Sequence, residues 1–169
     1  MPATETSKDR HAPVSKPLRA SRAALPIALA ALLTTGCVND TASYLIEGSR
    51  EHTIMLHRVQ NWIWQDKLTL TVVARRMPDC QGGLDIKGVP RRVRPELYAA
   101  PPEYAEPIYI LKLGKRHYAV STLSCRVQAF KEPPAELGHK LGVFAEKNGR
   151  FAFHPAKDAS ASAPDPDAD

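Results

Sequence analysis

The sequence predicts an all-β domain: a small antiparallel sandwich or partly open barrel of six or seven strands, with one disulfide and a long Pro-rich loop. Three observations lead there. Residues 67–75 alternate apolar and polar with period two, hairpin turn signals recur along the rest of the chain, and no stretch carries the 3.6-residue period of a long amphipathic helix. The 169 residues are 43% apolar and 24% charged, which excludes global disorder, and the 15 prolines favour short strands joined by loops.

The first element, residues 1–36, reads as a targeting segment. A basic stretch ending in Lys16, Arg19 and Arg22 precedes an apolar run of eleven residues, 23–33, and then Thr34, Thr35 and Gly36. Positive flank, apolar centre and small residues at the end form the layout of a secretory signal. Spanning a bilayer takes about 20 apolar residues, so this run is too short for a permanent helical anchor. The stretch Leu33-Thr34-Thr35-Gly36-Cys37 resembles the lipobox of bacterial lipoproteins, with Thr34 standing where that pattern usually has Leu. The resemblance implies cleavage before Cys37, acylation of its sulfur and attachment to the lipid bilayer through that residue. Val38 follows, where lipoproteins kept in the inner membrane typically carry Asp; the resemblance therefore implies the outer membrane, facing the periplasm. Residues 37–43 are short and polar and read as a tether, with the β-rich domain over 44–155.

Charge and cysteine count follow from this division. Of 23 basic and 18 acidic residues, five and two fall in residues 1–36, so the remainder carries 18 against 16, a net of +2. No basic excess of the kind that nucleic acid requires survives, and no nucleic-acid partner is expected. Three Cys are an odd number for an exported chain. With lipid on Cys37, Cys80 and Cys125 remain as one pair in an oxidising compartment. A metal site built on the two Cys with His117 or His139 lacks the usual ligand spacings.

Within the domain, Tyr44 to Glu47 is a candidate short strand, and His52 to Ile63 is rich in Ile, Val and Trp. Lys67 to Arg75 is the clearest strand, with Leu68, Leu70, Val72 and Ala74 on one face. Gln65-Asp66 turns the first of these onto the second. Residues 78–107 hold six prolines and the run Lys87-Gly-Val-Pro-Arg-Arg-Val-Arg94, and read as a loop. Ile108 to Leu113 and Tyr118 to Leu123 flank Gly114-Lys115-Arg116 as a hairpin. Pro133 to Leu141 allows one helical turn. Val143 to Ala145 and Phe151 to Phe153 flank Asn148-Gly149, a dipeptide that favours positive φ and tight hairpins. Residues 156–169 are Ala, Ser, Pro and Asp with a single Lys, and read as a disordered tail.

The chemistry-bearing residues point to binding rather than catalysis. Arg91, Arg92 and Arg94 cluster beside Lys87 and suit an anionic partner such as a lipid headgroup, a cell-wall polymer or an acidic protein face; a solvated basic loop is the plainer reading. Trp62 and Trp64, two apart, share a strand face and suit stacking on a partner, against the commoner role in a core. Tyr98 and Tyr104 add rigid amphipathic contacts to the 78–107 loop. His52, His57, His117, His139 and His154 are scattered, Glu96, Glu103 and Glu106 form no readable pair, and no nucleophile, phosphate-loop, cofactor or metal motif is present. The expectation is a non-catalytic, membrane-anchored interaction module with a partner protein in the envelope. A periplasmic ligand-binding or enzyme-inhibiting lipoprotein is the alternative. The anchored small β-domain is similar in outline to small lipoproteins of secretion systems and, for the alternative, to the β-barrel lipoproteins that inhibit lysozyme.

Overall fold

In the computed structural model the described residues are 38–62 and 64–157; residues 1–36, where a targeting segment was expected, Cys37, and the expected tail from 158 lie outside them. The chain is all-β. Four strands, β1 (Asn39–Leu45), β2 (His52–Val59), β3 (Lys67–Arg76) and β4 (Cys80–Pro90), form one antiparallel meander in the order β1-β2-β3-β4. Six more, β5 (Glu96–Ala99), β6 (Tyr109–Leu113), β7 (Arg116–Ser121), β8 (Arg126–Ala129), β9 (His139–Lys147) and β10 (Arg150–Pro155), form a second antiparallel sheet in the order β10-β9-β5-β6-β7-β8. β1 lies against β10 and β4 against β8. The sheets remain separate ladders, so the result is a flattened sandwich open at its edges and not a closed barrel.

The pleat decides which side chains meet. In β3, Leu68, Leu70, Val72 and Ala74 are all buried, as their alternation predicts, and Ile54 and Leu56 of β2 join them. Leu97, Leu111, Val120 and Phe144 supply the facing layer from the second sheet. Burial of such side chains contributes about 1.5–3 kcal/mol each against exposure, the main favourable term of the fold. The expected hairpins form. Asn148 and Gly149 both adopt positive φ, 52° and 74°, between the paired residues Lys147 and Arg150, as a two-residue turn matched to strand twist demands. Gly114, at φ 62°, opens the equivalent turn between Leu113 and Arg116.

Four expectations require correction. Among the described residues there are ten strands where six or seven were expected, chiefly because half of the Pro-rich stretch 78–107 is strand, as β4 and β5. Leu84, Ile86 and Val89 alternate well enough to cover the core, and the prolines sit where a sheet tolerates them. Pro90 ends β4, an edge strand, and Pro95 precedes β5; the irregular connection shrinks to 100–108. Lys87 and Gly88 oppose Thr69 alone, a β-bulge that Gly88 permits at φ 71°. Residues 39–43, expected as tether, are the start of β1: each pairs across to β2, and Ala42 is buried. The helical turn expected within Pro133 to Leu141 is absent, and His139 already opens β9. Trp62 and Trp64 belong to the β2–β3 connection, so they do not share a strand face.

Antiparallel order sorts the connections to two ends. One end holds the β1–β2, β3–β4 and β7–β8 turns, and there the Cys80–Cys125 disulfide joins the first sheet to the second, 45 residues apart in sequence. His52 Nε2 lies 2.6 Å from the Thr122 hydroxyl at the same end. The opposite end holds the beginning of β1, the β2–β3 loop, the β4–β5 connection and the β6–β7 and β9–β10 turns.

Replacing Cys80 and Cys125 together by Ala should lower stability by about 2–5 kcal/mol in a denaturant titration, mainly by freeing the unfolded chain. Gly82 offers an independent check on how closely the sheets meet there. A Cβ at this position would fall on the Cys125 carbonyl oxygen, a backbone atom with little room to move. Gly82→Ala should therefore cost about 1–3 kcal/mol even with the bridge intact.

Candidate functional site

The end opposite the disulfide gathers most of the residues singled out in the sequence. Arg91 and Arg92 follow β4 directly, and the Arg91 amide donates to the Asp66 carbonyl at 3.1 Å, which joins the β4–β5 connection to the β2–β3 loop. That loop is itself built by hydrogen bonds: the Gln65 amide to the Trp62 carbonyl at 3.0 Å, and the Gln60 side-chain amide to the Gln65 carbonyl at 2.5 Å. It projects two indoles. Trp62 is 55% and Trp64 74% exposed, and the rings stack on each other at 5.3 Å between centroids and 18° between planes.

Beside them is an open cavity of about 390 Å³ lined by Arg58, Arg91, Arg92, Val93, Arg94 and Glu146. The three connection arginines are exposed at its mouth. Arg58 forms its floor. This residue continues the inward row of Ile54 and Leu56 on β2, and its side chain is only 5% exposed. Its guanidinium donates to both Asp40 oxygens, at 2.7 and 2.6 Å, and to Glu146 at 3.1 Å, and it lies 3.8 Å over the ring of Phe151. A planar fork can satisfy carboxylates from both sheets while its stem stays among apolar neighbours, which a lysine would not match. A second open cavity, about 480 Å³, lies between the β2–β3 loop and the bulge at Lys87 and Gly88.

Sequence reasoning missed Arg58. The available signal was a cation in phase with the buried row 54, 56 and 58, a position where a charge must find partners. It also missed how other cations assemble. Lys67 pairs across to Pro90, and Lys147 and Arg150 flank the β9–β10 turn next to Glu146, so all three stand at this same end.

Two expected contact residues lie elsewhere. Tyr98 is buried on β5, not displayed on a loop, because β5 is a central strand between β9 and β6. Its hydroxyl donates to Glu96 at 3.1 Å. Tyr104 sits in the 100–108 connection, half-buried with its ring edge-on to Phe130. The carboxylates and histidines are engaged one by one rather than convergently. Glu106 accepts from Ser124, His57 faces Asn39, and Glu96 is held by Lys140 and Lys112. Among the described residues no group of three or more His, Cys, Asp or Glu is arranged to hold a metal ion. Cys37 lies outside the described residues, but Val38, the next residue, is anchored at the Arg–Trp end by accepting from the Gln60 amide at 2.8 Å.

Comparison with known proteins leaves the geometry to speak for itself: no family model matches the chain, and no curated protein and no solved structure gives a match.

Two measurements follow from these ion pairs. Arg58→Ala should lower stability by about 2–4 kcal/mol, since it removes charged hydrogen bonds and a packed stem together, and Arg58→Lys should recover only part. Burial opposes the Glu96 carboxylate, but hydrogen bonds from Lys140 and Lys112 and their charges prevail and hold its pKa at about 2. A folded value below the unfolded one of 4.5 means stabilisation that is complete above that pH and is lost between about 4.5 and 2. Glu96→Gln should flatten the acid limb of stability in that window, measured by urea titration at successive pH values.

Proposed function

We propose that the protein is a lipid-anchored, non-catalytic binding module of the bacterial cell envelope, whose contact surface is the Arg–Trp end. The observation that supports this reading is one juxtaposition: Arg91, Arg92 and Arg94 around an open cavity, beside an exposed and self-stacked pair of Trp side chains. Arginine recognises carboxylate and phosphate through paired donors, and Trp provides a rigid apolar surface with few rotamers to lose. Exposed aromatics of this size carry a solvation cost that contact with a partner removes. The acidic or anionic character of that partner follows from the charge of the three arginines.

The anchor belongs to the same reading. The resemblance of residues 33–37 to a lipobox supports an acylated Cys37 directly before Val38, and Val38 itself supports the outer membrane, facing the periplasm. More than one acyl chain on that Cys would hold the domain firmly. Cys37→Ala should abolish incorporation of a fatty-acid analogue and release the protein from the membrane fraction; undiminished labelling would remove the lipoprotein reading. Charge reversal of Arg91, Arg92 and Arg94 to Glu should leave the thermal transition within a few degrees of the parent. It should reduce photo-crosslinking from a probe placed at Trp62, with a larger reduction at low salt, where exposed charges are least screened. Unchanged crosslinking at low salt would demote the arginines to a solvated connection.

A further inference from the structure

The partner of that surface follows from where β1 begins. Val38 is hydrogen-bonded to Gln60 at the Arg–Trp end, and β1 runs from there away to the disulfide end. No residue separates Val38 from Cys37. With residues 39–43 paired in β1 and no free tether, an acyl group on Cys37 has only the length of one residue and its own glycerol linkage between it and the folded domain. A residue spans at most about 3.6 Å, so the bilayer surface must lie against the end of the sandwich at which β1 starts.

That end has the chemistry of a membrane interface. The stacked indoles of Trp62 and Trp64 are the most exposed aromatic groups among the large apolar side chains so described. Tryptophan prefers the headgroup level, where its ring is partly sheltered and its N–H remains wet. At the same end of the sandwich stand Arg91, Arg92 and Arg94, tied to the Trp loop by the Arg91–Asp66 backbone bond, with Lys67, Lys147 and Arg150 at other strand ends there. Against these, Arg58 offsets one of the two charges of Asp40 and Glu146, and Asp66 is exposed in the Trp loop, so the six basic side chains outweigh the acidic ones and the end is net basic. Basic side chains are attracted to an anionic leaflet within a Debye length of its surface.

We infer that the Trp62–Trp64 stack and the Arg91–Arg94 cluster lie on the anionic headgroup layer of the membrane that holds the acyl chains, so that the sandwich stands with its disulfide end outward. The inference rests on the lipoprotein reading and names the bilayer surface as the contact of the proposed binding end. The consequence is an orientation: the face offered to the aqueous compartment is the opposite end, with Leu123 and Met77 exposed beside the Cys80–Cys125 bridge.

The chain contains two Trp in all, so tryptophan fluorescence, excited beyond the absorption of its five Tyr, reports on this pair alone. The acylated protein would be reconstituted into vesicles of phosphatidylethanolamine with phosphatidylglycerol, and into phosphatidylcholine vesicles as a neutral comparison. Flotation is measured in parallel. The expected result is emission shifted to shorter wavelength, quenching by lipids brominated near the headgroup and protection from aqueous iodide, each stronger with phosphatidylglycerol. The Arg91→Glu, Arg92→Glu, Arg94→Glu protein should still float but lose the lipid quenching. Protein that floats while its Trp pair remains open to iodide and unquenched by brominated lipid overturns the orientation and leaves the anchor standing, with an acidic protein face as the surviving partner. Protein whose flotation is unaffected by Cys37→Ala and which incorporates no fatty acid overturns the lipoprotein reading instead.

Discussion

Everything in this molecule depends on keeping water out of the layer between its two sheets. Ile54, Leu56, Leu70 and Val72 from one sheet meet Leu97, Leu111, Val120 and Phe144 from the other, and their burial is what offsets the entropy of ordering ten short strands. A sandwich leaves that layer open at both ends, and the two ends are closed by different chemistry. One is closed covalently, by Cys80 and Cys125 with Gly82 allowing the β7–β8 turn to approach. The other is closed electrostatically, by Arg58 held between Asp40 on β1 and Glu146 on β9.

The electrostatic closure links structure to the proposed function. A guanidinium buried at an interior position must be satisfied, and drawing Asp40 and Glu146 to it consumes the carboxylates that would otherwise stand beside Arg91, Arg92 and Arg94. The arginines at the mouth are then free to act on an external anion. The backbone bond from Arg91 to Asp66 brings the same arginines next to the Trp62–Trp64 loop, and the bond from Gln60 to Val38 brings both next to the start of β1. Three connections far apart in sequence thereby present one surface. The contrast with the disulfide end, where Leu123 and Met77 are exposed, gives the domain two chemically distinct poles.

Much of the sheet structure was legible because the pleat writes itself into the chain. The alternation in residues 67–75 identified β3 and its buried face, and Asn148-Gly149 marked its hairpin because few other dipeptides accept positive φ at both positions. β4 was harder to see. Its inward row, Leu84, Ile86 and Val89, follows two glycines and is interrupted by the bulge at Lys87 and Gly88, and its terminal Pro90 reads as a loop signal until β4 is known to be an edge. The start of β1 was missed for a related reason: Asn39 and Asp40 are poor strand formers alone and become strand through pairing with β2.

The sequence by itself determined the all-β class, three of the hairpins, the cysteine pair and the residue types suited to an anionic, aromatic-binding contact, since these depend on local composition, period and turn geometry. Only the tertiary structure decided how those residues are shared out. It stacked Trp62 on Trp64 in a loop rather than on a strand, buried Tyr98 in a central strand, and recruited Arg58 to an ion pair across the sheets. The reason is physical: which side chains meet across a sandwich is set by the registers and order of strands far apart in the chain, and no local pattern records the partner on the facing sheet.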